Sequence, residues 1–314
     1  MKATQTGAGV SLFRALGMLY PKEKRLFEDP YSEKLLPLFF KLLIAPLRSP
    51  KRFDRMIQSR EKKYPGEFGW MLCRTRYIDD VLKNSITKEG IETVVNLGSG
   101  MDCRAYYIPG MENIRYFEVD HPSVIKKKKA KLKKILGSLP NHVIFVPIDF
   151  EKQNLDTELK RARYNLSSKT LFIWEGVTHY ISKEANDSTL KYVAQAEPGS
   201  SIVFTYVLKN FIDGKEIHEG TERTYKRFCK KNNPLWIYGL DPTDIGNYLS
   251  KYSLSLIEDI GSDEVKERYM KSINLGLEVF KIERIALAEV KRQNIKNVLI
   301  KHFPDSQSLF HSDD

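Results

Sequence analysis

Cysteine is scarce, with three residues, Cys73, Cys103 and Cys229, in a chain of 314. Their number is odd and no two stand in a CxxC spacing, so neither a disulfide framework nor a zinc site is expected, and a reducing compartment is favoured. Long apolar runs are missing too. The nearest, Leu35 to Leu47, is broken by Pro37, Lys41 and Pro46 and falls short of the ~18 residues of a membrane helix. The N-terminus has no charged start leading into a long apolar core, so no signal peptide is read and a cytoplasmic location is expected. None of the histidines stands in an HExxH or other metal-ligand spacing, so no metal site is expected. A GxSxG elbow and a phosphate-binding P-loop are absent as well. Acid is short relative to base: Lys+Arg number 51 against 40 for Asp+Glu, a net charge of +11. Such a balance can attract nucleic acid, anionic membrane or acidic substrates. No nucleic-acid motif accompanies it, so a solvated basic surface is the simpler reading.

What is present has a clear order. Residues 1–90 show helical apolar spacing interrupted by Pro21, Pro30, Pro37, Pro46, Pro50 and Pro65, and read as several short helices packed on the domain that follows. One of them spans Trp70 to Leu82, where Arg74, Arg76, Asp79 and Asp80 could form a surface ion-pair ladder. From residue 91 strands and helices alternate. Candidate strands are 92–97, 114–119, 142–148, 169–175, 200–207, 252–259 and 277–290; candidate helices are 103–107, 122–137, 151–162, 183–195, 242–250 and 262–273. Repeated βα units predict an α/β fold, a mostly parallel sheet with helices on both faces, over 91–302. The polar, aromatic stretch 208–240 reads as an insertion over the carboxyl edge of the sheet, a lid or substrate wall. Residues 303–314 read as a polar tail. The lysines of the run 126–134 are expected on the solvent face of their helix, opposite an apolar stripe of Val124, Ile125, Leu132, Ile135 and Leu136.

Ligands of such sheets bind beyond the carboxyl ends of the strands. That rule brings together Gly98-Ser99-Gly100, Asp120, Asp149 and Glu175, because each follows its own apolar run. Asp120, about 20 residues past the glycines, suits a ribose diol or, with His121-Pro122 behind it, the N-cap of a helix. Asp149 could hold an adenine amino group or cap the next helix. Glu175 directly follows Thr170-Leu171-Phe172-Ile173-Trp174, and a carboxylate there calls for a partner, such as a cationic ligand group. Arg74 and Arg76 could take a ligand carboxylate in bidentate fashion. The glycine turn lacks the third glycine of GxGxxG, since Cys103 stands there. This weakens the case for a pyrophosphate cofactor such as NAD(P) and an oxidoreductase built on it. S-adenosylmethionine, which has no pyrophosphate, fits the set: it offers ribose, adenine, amine and carboxylate.

Several stretches together resemble one family. They are Arg74-Thr75-Arg76-Tyr77-Ile78-Asp79-Asp80, Val95-Asn96-Leu97-Gly98-Ser99-Gly100-Met101-Asp102-Cys103-Arg104-Ala105-Tyr106, Tyr116-Phe117-Glu118-Val119-Asp120-His121-Pro122 and Trp174-Glu175-Gly176-Val177-Thr178-His179-Tyr180-Ile181, with a weaker echo at Tyr238-Gly239-Leu240-Asp241-Pro242. In this order they resemble the leucine carboxyl methyltransferase family of S-adenosylmethionine-dependent O-methyltransferases. Some of its eukaryotic members esterify a protein C-terminal leucine, and it has prokaryotic relatives that act on small molecules. The resemblance implies a Rossmann-like class I methyltransferase fold with a seven-stranded sheet. It implies cofactor contacts from Arg74 (carboxylate), Gly98, Ser99 and Gly100 (the methionine part), Asp120 (ribose), Asp149 and Phe150 (adenine side) and Glu175 (amine region). Cys103 stands where many relatives carry threonine, so a hydroxyl contact from that position is not carried over.

Methyl transfer from a sulfonium is an in-line displacement in which positioning contributes most. A carboxylate acceptor, small molecule or peptide, is already ionised at neutral pH and needs only a cationic or hydrogen-bonding clamp, for which Arg223, Arg227, Tyr206 and Lys209 are candidates. A hydroxyl acceptor needs a base, and His179 is the candidate. A non-catalytic module using its basic surface is the remaining alternative.

Overall fold

The computed structural model describes residues 7–230 and 232–291; the polar tail 303–314 and residues 292–302 lie outside the described residues. Among the described residues five α-helices precede the sheet: α1 (Gly7–Gly17), α2 (Ser32–Leu35), α3 (Leu38–Ile44), α4 (Pro50–Lys63) and α5 (Glu67–Asn84). Prolines punctuate them as their fixed φ requires. Pro37 precedes α3, and Pro50 opens α4, where a missing N–H costs nothing. The helix expected over 70–82 is longer, running from Glu67 to Asn84; it is buried on most sides, with Phe68, Leu72, Ile78 and Leu82 along one of them.

The strands are β1 (Thr93–Leu97), β2 (Arg115–Asp120), β3 (Val143–Pro147), β4 (Thr170–Trp174), β5 (Ser201–Val207), β6 (Leu254–Ile260) and β7 (Glu283–Val290). They form one sheet in the order β3-β2-β1-β4-β5-β7-β6. The first five are parallel, and β7 runs antiparallel between β5 and β6. The chain winds outward from β1 to β3, then restarts at β4 on the other side of β1. The strand order therefore reverses between β1 and β4, and a crevice opens at their carboxyl ends.

Alternation along the strands sends side chains into two cores. Val94, Leu171, Ile173 and Val203 pack with α1 and α5 on one face. Val95, Leu97, Phe172, Trp174 and Phe204 pack on the other against α7 (Leu155–Arg161), α8 (Lys183–Val193) and α11 (Ile245–Ser250). Between β2 and β3 lies α6 (Pro122–Leu136); the segment after β5 holds α9 (Lys209–Ile212) and α10 (Glu222–Phe228), and α12 (Ser262–Val265) follows β6.

The departures from the expectation have physical reasons. The last strand begins at 283, not near 277. Within 277–282 Leu277, Val279, Phe280 and Ile282 are buried, but the segment lies against α5, where a Cβ on Gly69 would come within 2.1 Å of the Glu278 carbonyl oxygen. The helix expected over 151–162 starts at Leu155, because Asn154 caps it by accepting the Thr157 N–H at 3.1 Å. The lysine run is not wholly solvated. Lys128 is buried, ion-paired to Glu118 at 2.6 Å, since Val124, Lys128 and Leu132 follow one another at helical spacing on the inner face.

Candidate active site

At the carboxyl ends of β1 and β4 lies a cavity of about 490 Å³, within the range of small-molecule sites. Its floor is the turn after β1. Gly98 has φ +74°, and a Cβ there would sit 2.3 Å from a methyl of Val177; only glycine brings this turn so close to the loop after β4. The Gly98 and Ser99 amides both donate to the Val119 carbonyl, at 2.7 and 3.0 Å. The turn is thus tied to the end of β2. The hydroxyl of Ser99 is buried on the cavity wall with no partner among the described residues.

Asp120 closes the next side. Its carboxylate accepts the Gly100 and His121 amides, each at 2.6 Å. Burial raises its pKa, against the pull of those two amides. The capping alternative is answered by the neighbour: the ring of His121 takes the Ser123 amide at 3.3 Å and is the N-cap of α6. Asp120 therefore faces the cavity with acceptor capacity left, two lone pairs per oxygen. Asp149 and Phe150 also line it. Asp149 accepts the Glu151 amide at 3.2 Å, so it holds a tight turn while bordering the cavity.

Glu175 carries the densest electrostatics. It accepts from Arg14 at 3.0 Å, Arg74 at 2.9 Å and Arg104 at 2.7 Å. Arg104 also bonds Asp79 and Asp102, each at 2.6 Å, Arg14 reaches Asp102 at 3.2 Å, and Arg74 reaches Glu283 at 3.2 Å. Burial alone would raise the Glu175 pKa, but Arg104, Arg14 and Arg74 together hold it down at about 2. Asp102 is likewise held well below the usual range, burial being outweighed by Arg104, Arg14 and Lys128. The partner that Glu175 required is thus supplied by the protein. The ladder reading of Arg74 fails for the same reason: Arg76 pairs with Asp80 at 2.8 Å, whereas Arg74 turns inward.

The structure therefore brings together Arg74, Gly98, Ser99, Gly100, Asp120, Asp149, Phe150 and Glu175 around one cavity. It does not bring the acceptor-side candidates Arg223, Arg227, Tyr206, Lys209 and His179 there. The Tyr206 hydroxyl donates to Asp259 at 3.0 Å. Arg223 is exposed on α10. His179 is buried beneath Trp236, ring centroids 4.9 Å apart. None of the described residues of 208–240 lines the cavity; their aromatics Phe211, Tyr225, Phe228 and Trp236 pack on one another. The cover comes from Val10, Ser11 and Arg14 of α1 and from Leu35-Leu36-Pro37. Arg14 and Arg104 carried no assigned role in the sequence. Arg104 stood inside the quoted glycine-turn motif, but nothing local marks Arg14, whose partner Glu175 is 161 residues away.

Burial and then the charge of Arg74 depress the His179 pKa from 6.5 to about 3, so the ring is neutral in the folded protein. Unfolded, it takes a proton below about 6.5. Its contribution to stability is therefore fully present above pH 6.5 and is lost as pH falls toward 3. Urea denaturation at pH 7.5 and 5.5 is expected to show His179→Phe losing about 1.4 kcal/mol less than the wild type over that step. Equal losses would mean that His179 is not held neutral.

The leucine carboxyl methyltransferase family matches residues 8–194, which contain every cavity-lining residue, from Val10 to Ile181. The Bacillus subtilis protein named "Putative S-adenosyl-L-methionine-dependent methyltransferase YktD" is 31% identical over 215 residues, 67% of this chain and 68% of its own length. A Mycobacterium tuberculosis protein of the same description is 32% identical over 189 residues, 58% of each chain. Among solved structures, a DUF574 family protein from Streptomyces avermitilis matches with a TM-score of 0.54 at 14% identity, over 90% of this chain and 97% of that one. That likeness concerns the fold.

Proposed function

Because the chain belongs to the leucine carboxyl methyltransferase family, we propose that it is an S-adenosylmethionine-dependent O-methyltransferase whose acceptor is a carboxylate. The cavity suits the donor. The positive-φ glycine turn leaves room for backbone approach, the Ser99 hydroxyl is unpartnered, and Asp120 keeps free lone pairs. Four carboxylates, Asp79, Asp102, Glu175 and Glu283, face three guanidiniums, Arg14, Arg74 and Arg104. One negative charge in excess matches a ligand that carries an ammonium, a sulfonium and one carboxylate. Family membership displaces the NAD(P) reading that the βαβ turn alone allowed.

When bound, S-adenosylmethionine supplies a methyl group on a sulfonium. Asp120 would hold the ribose diol, Asp149 and Phe150 the adenine, Arg74 the carboxylate, and the Gly98–Gly100 turn with Glu175 the amine end. For a carboxylate acceptor the protein's task is to bind an anion in line and keep water out, which lowers the barrier by positioning. The observation that carries the acceptor class is a pair of lysines. Lys127 and Lys131 line the cavity and have no carboxylate partner among the described residues. The candidate base His179 lies outside that wall and is too weak a base at pH 7.

The deciding experiment uses tritiated-methyl S-adenosylmethionine with a panel of small carboxylic acids and C-terminal peptides. Label in product is expected to become volatile methanol under mild alkali, as a methyl ester releases it. Alkali-stable label would point to a hydroxyl acceptor instead. The lysine clamp has its own test: Lys127→Ala/Lys131→Ala is expected to raise the acceptor KM by roughly tenfold, about 1.4 kcal/mol, with the donor Kd unchanged. An unchanged KM would remove the lysines from the acceptor site.

A further inference from the structure

Large apolar side chains are seldom left in water side by side. On α3, Leu38 is 71% exposed, Phe39 65%, Leu42 64% and Leu43 51%. They lie at i, i+1, i+4 and i+5 and so form one continuous stripe along two turns. Scattered exposed apolar residues need no explanation, but a contiguous patch does. The opposite side of the same helix, Ile44, is buried in the core, so α3 is fixed to the domain by one side and offers the other.

The patch is set in positive charge. Residues 34–55 contain six basic side chains, Lys34, Lys41, Arg48, Lys51, Arg52 and Arg55, against one acid, Asp54. Of these, Lys41, Lys51, Arg52 and Arg55 have no carboxylate partner among the described residues. A second helix adds to it: Lys131 of α6 donates to the Leu35 carbonyl, and its pKa is lowered by burial and then by the nearby charges of Lys41 and Lys127. Lysines held this close together, with few acids beside them, favour an anion. The patch is also continuous with the cavity, because Pro37 on the cavity wall immediately precedes Leu38.

We propose that α3 and its cationic surround form a docking face for an anionic lipid surface. Leucine and phenylalanine wedged among lysines is the composition of a helix that lies in the membrane interface, whereas lysine is depleted from protein–protein interfaces. With seven residues, α3 is only about 10 Å long, so it would lie on the layer and not cross it. Cations near such a layer gain from its negative surface potential. The proposal goes beyond methyl transfer and does not depend on it.

Sedimentation of the full chain with vesicles tests it. Binding is expected to vesicles of phosphatidylcholine with 30 mol% phosphatidylserine, to be at least tenfold weaker to phosphatidylcholine alone, and to fall about tenfold when salt is raised from 0.1 to 0.5 M. Leu38→Ser/Phe39→Ser/Leu42→Ser is expected to lose binding at unchanged melting temperature and unchanged S-adenosylmethionine affinity. The control Ile257→Ser, on an exposed apolar residue of β6, is expected to bind as wild type. Absence of binding to the anionic vesicles would overturn the proposal. So would equal binding by the triple variant, which would place the contact elsewhere on the basic surface. A wild-type dimer that the triple variant abolishes, without vesicle binding, would assign the face to a second copy of the chain.

Discussion

Glu175→Ala is expected to be the most damaging single substitution in this protein. It would leave Arg14, Arg74 and Arg104 buried around an empty position: their side chains are 3%, 4% and 0% exposed. Breaking a buried pair in this way costs about 3–5 kcal/mol, because the remaining charge has neither water nor partner. Thermal denaturation is expected to show a melting temperature lower by roughly 10 °C or more. Glu175→Gln keeps the shape and one acceptor and is expected to lose less. Both variants also differ from the wild type in pH dependence. The wild-type carboxyl, at about 2 in the fold against 4.5 ordinarily, contributes stability fully above pH 4.5 and loses it as pH falls toward 2. Glu175→Gln lacks that titration, so its stability deficit is expected to shrink in acid. A variant as stable as wild type at pH 7 would mean that the arginines are not organised around Glu175.

The second large effect is on ligand affinity. Asp120→Ala removes the acceptor assigned to the ribose diol, at the end of β2 and on the cavity wall. Hydrogen bonds to a charged group contribute roughly 1.5–3 kcal/mol, so the Kd for S-adenosylmethionine is expected to rise about 10- to 100-fold by calorimetry. The Gly100 and His121 amides also lose their acceptor, and a modest fall in melting temperature should accompany the loss. Asp120→Asn, which retains one oxygen, is expected to lie between. An unchanged Kd would move the ribose away from β2.

The sheet and the cofactor wall were legible because each rests on local signals. Apolar runs ending in a glycine turn or an acid mark strand ends, and strand ends of a parallel sheet converge on one edge. The Gly98–Gly100 turn and the positions of Asp120, Asp149 and Glu175 followed from that, and the strands from their alternation with helices, the last with its start misplaced. What was illegible depends on distance along the chain. The need of Glu175 for a partner was readable from its apolar strand, but two of its three partners lie 161 and 101 residues before it. Polar and aromatic residues fit a lid as well as a surface cluster, so the stretch 208–240 was ambiguous; its Trp236 packs on His179, and α1 with Leu35–Pro37 lines the cavity. Lys128 was readable after all, since it falls midway between Val124 and Leu132 on the inner stripe.

The charge of the chain also acquires a location. A net +11 spread evenly is only a basic surface, but among the lysines without a carboxylate partner in the described residues, Lys127 and Lys131 line the cavity and Lys41 lies on α3. The first pair is proposed to face an acceptor anion, and Lys41 stands beside exposed leucine and phenylalanine.

The central claim, that this cavity holds a methyl donor, is tested most directly by titrating S-adenosylmethionine into the wild-type protein in a calorimeter, with Asp120→Ala alongside. One site per chain is expected, weakened 10- to 100-fold in the variant. No heat from the wild type at millimolar ligand, or equal affinity in both proteins, would contradict it.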